Sequence, residues 1–149
     1  MKKLIIAAAV VWAAVLLRIT VFRNGCFSHG LFSGHIEWEA FSFYAKLLSA
    51  GNLKYFAYLF FGNLIWFAPA GFMARFWNGR LIHALVAGLF ISLLVEAGQF
   101  ILGSGVSELD DVILNTLGAL LGYFFGCLVL KRLVPRPDRE SDFEGSNLN

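Results

Sequence analysis

Charged side chains make up only 15% of the 149 residues, too few to cover an average water-soluble domain. Histidine is as thin, with three residues, and no full set of cysteine and histidine ligands at zinc spacing occurs. Cysteine occurs twice: Cys26 lies just outside the first apolar run, and Cys127 lies about sixteen residues beyond Asp111, roughly 24 Å at 1.5 Å per residue. A disulfide between them is excluded on that separation. The chain lacks a G-x-S-x-G nucleophile elbow and a phosphate-cradling glycine loop. No internal repeat is evident, and no small-x-small cleavage site follows the first apolar run, which is therefore expected to remain as an uncleaved helix. The net charge is only +2, without a basic patch interleaved with aromatics, so no nucleic-acid partner is implied.

What is abundant is apolar surface. Hydrophobic residues reach 58%, and mean hydropathy is +0.70. Four runs have spanning length, at about 20 residues each: Leu4 to Phe22, Tyr55 to Ala74, Leu81 to Leu102 and Asp111 to Leu130. The expected fold is all-α, an integral membrane four-helix bundle occupying residues 1–132, with 133–149 as a polar, disordered cytoplasmic tail. Of the twelve basic residues, Lys2, Lys3, Arg75, Arg80, Lys131, Arg132, Arg136 and Arg139 fall on one side of the layer. Arg23, Lys46 and Lys54 fall on the other with Glu37, Glu39, Glu108 and Asp110, which predicts cytoplasmic N and C termini.

Glu96 interrupts the third run. A carboxylate at the centre of a spanning helix costs about 2.5 to 3.5 kcal/mol on insertion scales, so it should face protein or a polar cavity. Ala84, Gly88, Ser92 and Glu96 recur every fourth residue and share one helix face, where small side chains let another helix approach. Asp111, Asn115, Gly118, Gly122 and Gly126 form a second such stripe, and the two stripes are expected to pack together. By depth, Arg18, Asn63, Glu96, Asp111 and Asn115 should converge in the outer half, with Asn63 as the floor of a cavity. An Arg18–Glu96 ion pair that locks the bundle is the structural alternative to a ligand. For Gln99 and Asn115, interhelical hydrogen bonding is the simpler role. Asp110 and Asp111 also suit a helix start, whose dipole favours acids.

Residues 24–54 form the long external segment. Trp38, Phe41, Tyr44, Ala45 and Leu48 recur there at helical spacing, which fits an interfacial or re-entrant helix as well as an ordered aromatic loop. Asn78-Gly79 and Gly103-Ser104-Gly105 mark short turns that make neighbouring helices antiparallel, and Pro69 marks a kink in the second run.

With these residues in place, the chain resembles the VanZ-like membrane proteins, a family named for an accessory determinant of teicoplanin resistance. Asn63, Phe67, Pro69 and Gly71 look like its N-x-x-x-F-x-P-x-G segment, Glu96 and Gln99 like its E-x-x-Q, and Asp111, Asn115, Gly118 and Gly122 like its D-x-x-x-N-x-x-G-x-x-x-G. Gly105 stands where the resemblance leads one to expect an arginine, with Glu108 at the acidic position three residues later. The resemblance implies a link to glycopeptide resistance and the cell envelope, without a reaction.

The favoured expectation is a multi-pass cell-membrane protein that modulates envelope–glycopeptide interaction. Its outer-leaflet polar site would comprise Arg18, Asn63, Glu96, Gln99, Asp111 and Asn115 and take an envelope lipid, a cell-wall precursor lipid or a partner. No catalytic residue, metal ligand or cofactor is assigned, and a homo-oligomer fits the aromatic and glycine faces. Two alternatives stay open: a metal-assisted enzyme acting on polyprenyl-linked wall precursors, with oxygen ligands from Glu96, Glu108, Asp110 and Asp111, and a small transporter using Glu96 for protons.

Overall fold

A computed structural model describes residues 2–22, 30–32, 34–77 and 79–133. Cys26, Arg23, His29, Asn78 and the expected tail from 134 onward lie outside the described residues. In chain order the elements are α1 (Lys2–Ile19), β1 (His35–Glu37), α2 (Ser42–Ser49), α3 (Leu53–Phe76), α4 (Leu81–Leu102), β2 (Val106–Glu108) and α5 (Leu109–Leu133). Among the described residues, α3, α4 and α5 are long and apolar enough to cross a membrane. α1 is helical as expected, but its 18 residues carry Lys2, Lys3 and Arg18. The outer faces of the three long helices are apolar and exposed, as at Ile65, Phe90 and Phe125, which suits contact with lipid rather than water.

The centre of the bundle is α3 against α5. Gly71, Gly118 and Gly122 allow it: a Cβ at Gly71 would lie 1.6 Å from Ala119 O, one at Gly118 2.3 Å from Leu64 O, and one at Gly122 1.8 Å from Ala68 O. Only hydrogen at these three positions lets the two backbones meet, and close packing is what holds helices together in lipid. This corrects the expected pairing of stripes. The Gly118–Gly122 stripe faces α3, because α3 brings its own Gly71 and its backbone carbonyls to the seam. The α4 stripe is buried as expected, at Ala84, Gly88, Ser92 and Glu96. It meets the α5 stripe at its polar end, where Asn115 bonds Ser92, and beyond that a different strip of α5, with Gly88 against Ala119 and Thr116.

α1 docks on the side of α3. Trp12 Nε1 donates to Trp66 O at 2.8 Å, in the turn preceding Pro69. Below that contact Leu16, Val21, Phe67 and Val95 form a small core.

One end of the bundle is closed by the connections. β1 and β2 pair in parallel, with His35 opposite Val106, Ile36 opposite Ser107 and Glu37 opposite Glu108. The architecture is all-helical as expected, and these two short strands are an addition that the sequence did not announce, since three residues are too few to show a two-residue period. Leading into β1, Phe32 N and Gly34 N donate to Ile101 O and Phe100 O, satisfying carbonyls that the end of α4 leaves open. Gly103 ends α4 in the left-handed region (φ 55°). α2 resolves the choice between helix and aromatic loop: it is helical from Ser42, with Tyr44 and Leu47 buried, while Trp38 and Leu48 stay exposed.

Candidate functional site

A cavity of about 610 Å³ opens under this closure. Seven elements and the glycine turn build it: the end of α1 at Ile19, β1 at His35, α2 at Tyr44, α3 at Asn63 and Trp66, the Gln99 end of α4 with Gly103 to Gly105, β2 at Glu108, and α5 at Asp111. Helices that start or stop at the same height therefore bring side chains far apart in sequence to one space.

Of the residues expected at the site, the fold brings Asn63, Gln99 and Asp111 to the cavity wall. Asn63 Nδ2 donates to Asp111 Oδ1, and its amide also reaches Tyr44 Oη at 3.5 Å. Among the described residues Gln99 Oε1 has no hydrogen-bond partner, and the atom is buried. Glu96 is not on that wall. It is 7% exposed and sits behind β2, where its Oε2 accepts from Glu108 N at 3.0 Å and its backbone carbonyl accepts from Ser107 Oγ at 2.8 Å. Its carboxylate thus fastens the strand that carries Glu108 to the cavity, while its other side borders a separate apolar groove of about 320 Å³ with Trp38, Leu93 and Val112.

Asn115 lies one turn below Asp111, 2% exposed, with Nδ2 donating to Ser92 Oγ at 2.9 Å. That is the interhelical bond expected of it. Arg18 turns away: its Nη1 donates to Phe22 O at 2.9 Å, in the chain just past the end of its own helix. The considered Arg18–Glu96 ion pair is absent among the described residues, because both groups have taken nearby backbone partners. His83 accepts at Nδ1 from Arg80 N at 2.8 Å and caps the start of α4.

Sequence reasoning did not assign Tyr44, Tyr55, Tyr58 or Trp66 to the site, and it named Glu108 only as an oxygen ligand in the metal-assisted alternative. Tyr44 is 3% exposed and stacks edge-on against Phe56 and Phe60, with ring centroids 5.7 Å and 5.9 Å away. Burial raises its phenol above the ordinary tyrosine value; the charges of Asp111, Asp110 and Glu108 push the same way, and the Asn63 hydrogen bond opposes them. The helical spacing of the external aromatics was the available signal for Tyr44, whereas the cavity role of Glu108 follows from strand pairing alone.

Asp110, 2% exposed, accepts backbone hydrogen bonds from Phe41 and Asp111, joining the start of α2 to the start of α5. Carboxylate oxygens of Glu108, Asp110 and Asp111 all lie within 4.8 Å of one another. Such a set of hard oxygen donors suits Mg²⁺ or Ca²⁺ in kind, although Asp110 is already engaged by backbone donors. Gly105, where an arginine was expected, lies beside the Gln99 side chain with room for a Cβ at ordinary contact distance, so the cavity wall has no guanidinium there.

Residues 4–130 match the family model described as VanZ/LLP1. No curated protein and no solved structure matches the chain.

Proposed function

The chain belongs to the VanZ/LLP1 family, and from that premise and the cavity we propose that it is a binding protein of the cell membrane rather than an enzyme. α1 is the fourth span of the bundle, the termini are cytoplasmic, and the cavity opens in the outer leaflet, where it takes an envelope lipid, a wall-precursor lipid or a partner. Its role is to modulate the interaction of the envelope with glycopeptides of the teicoplanin type. The carrying observation is the cavity itself: its polar wall unites Asn63, Gln99 and Asp111 from three helices at one end of an otherwise lipid-suited bundle. The basic residues at the opposite helix ends, Arg75, Arg80, Lys131 and Arg132, support the orientation.

Two experiments test this. In a Cys26→Ser, Cys127→Ser background, a cysteine placed at Ser49 should react with a membrane-impermeant maleimide in intact cells, and one placed at Arg132 should not; the reverse pattern would invert the topology. Intact lipids retained by the purified protein should include a class enriched over the bulk membrane, and Asp111→Asn should lose that enrichment. A wild-type protein that retains no lipid beyond bulk composition would remove lipid from the list of ligands.

A second reading has one observation in its favour, the proximity of the Glu108, Asp110 and Asp111 carboxylates. A divalent ion held there would in turn hold the diphosphate of a polyprenyl-linked precursor. Conversion of such a lipid to a new species by wild-type protein, lost on chelation and in Glu108→Gln, would replace the binding reading with a metal-assisted one.

A further inference from the structure

The wall that α3 gives to the cavity is a long stripe. Tyr55, Tyr58, Leu59, Gly62, Asn63 and Trp66 all line it, at the three- and four-residue steps of one helix face. From Tyr55 to Trp66 the cavity therefore follows the helix axis for roughly 16 Å at 1.5 Å per residue. Since α3 is long and apolar enough to cross a membrane, the space is a slot along a span as well as a chamber at its end. The end of α1 at Ile19 supplies the facing wall. At the deep end the two helices meet, where Trp12 Nε1 donates to Trp66 O.

The slot is open at its side. Tyr58 is 69% exposed and Trp66 41% exposed although both line it, and a carbon added at Gly62 would have nothing within 4 Å. With α3 as a span, an opening at the depth of Trp66 lies within a hydrocarbon layer about 30 Å thick, which holds no water to fill it. A hydrocarbon chain fills it. At the capped end the same cavity is polar, with His35, Asn63 and the Gly103 to Gly105 turn in its wall. A water-borne ligand would match that end and leave the slot unfilled, whereas an extended peptide would carry unmet backbone groups into the layer. An amphiphile matches both parts at once. We propose that the cavity is a lipid site entered sideways from the bilayer, with the head group under the strand cap and one chain lying along α3 opposite Ile19. This assignment rests on the binding reading above and narrows its ligand to a membrane lipid held by head and chain together.

The test uses full-length protein in nanodiscs that contain a phospholipid with a photoreactive diazirine in its acyl chain, with adducts located by peptide mass spectrometry after irradiation. Adducts on Leu59 and Ile19, both half-buried, report the slot. Adducts on Phe61 and Ile65, exposed on the neighbouring face of α3 and absent from the cavity wall, report bulk lipid. Wild type should show both sets. Gly62→Trp, which has open space for its ring, should abolish the adducts on Leu59 and Ile19 and leave those on Phe61 and Ile65 unchanged. Ile19→Trp fills the slot from the facing wall and should equally abolish the adduct on Leu59, with thermal unfolding as in wild type. Adducts on Phe61 and Ile65 alone, or slot adducts that both fillings leave in place, would overturn the lipid slot and leave the cavity to a water-borne ligand or a partner. Conversion of a lipid to a new species would instead overturn the binding reading beneath it and leave the slot standing.

Discussion

Two stretches of one helix have opposite chemistry. From Gly118 onward α5 is pressed against α3 with glycine as the spacer, and the contact is backbone against side-chain-free backbone. At its start the same helix presents Asp110, Asp111 and Asn115, each holding a polar partner on another element. In a bilayer apolar side chains gain nothing from leaving lipid for one another, so the deep half must be held by close packing. The end of the bundle, capped by strands and α2, can be built from hydrogen bonds and still leave a space. The lesson is a division of labour: the glycine seam fixes where the helix ends lie, and the ends determine what the cavity contains.

The seam should break most easily by volume. Gly122→Leu drives a Cβ into Ala68 O, and since even modest overpacking costs about 1 to 3 kcal/mol, this backbone clash should cost at least as much and abolish the folded species in detergent. Gly62→Ala provides the contrast on the cavity side: nothing lies within 4 Å of the added carbon, and its melting temperature should match wild type, within about 0.5 kcal/mol of stability. Equal losses in the two variants, read by thermal unfolding, would erase the distinction between seam and end.

At the capped end the effects should be smaller. Asn63→Leu takes one donor from Asp111 and should cost about 1.5 to 3 kcal/mol, the range for a hydrogen bond to a charged group, while also weakening ligand retention. A stability loss without any change in retained ligand would assign the pair to structure alone. Lower still is the Ser92–Asn115 bond: a double-mutant cycle with Ser92→Ala and Asn115→Ala should show coupling of about 0.6 to 1.7 kcal/mol, and none if the two helices are held by packing only.

The least effect at neutral pH belongs to Tyr44→Phe, whose signature lies in alkali. The folded state holds this phenol protonated beyond its ordinary value, so its contribution is fully present below about pH 10, the unfolded pKa, and is lost as pH rises from there toward the folded value. Wild-type stability should therefore fall with pH above about 10 more steeply than that of Tyr44→Phe, measured by denaturation across that range. Parallel slopes would mean that Tyr44 titrates as if in water.

Apolar run length was enough to locate the long helices. The run from Leu81 to Leu102 coincides with α4, and those from Tyr55 and Asp111 fall within α3 and α5, because insertion into a bilayer imposes a length that composition alone reports. The four-residue recurrence at Ala84, Gly88, Ser92 and Glu96 likewise determined that this face is buried. Those are local properties, set by helix pitch and solvent. Which helix each face meets is not local. The Gly118–Gly122 stripe could have served α3 or α4, and the choice fell to α3 because Gly71 makes that approach closer. The same holds for the site: Asn63 and Asp111 were legible as polar groups at similar depth, but Glu96 was drawn off by the Glu108 amide and Arg18 by the Phe22 carbonyl. Only the tertiary structure decided these, since a buried polar group takes whichever partner the fold brings within reach, and the three-residue strands that deliver Glu108 carry no periodic trace in the chain.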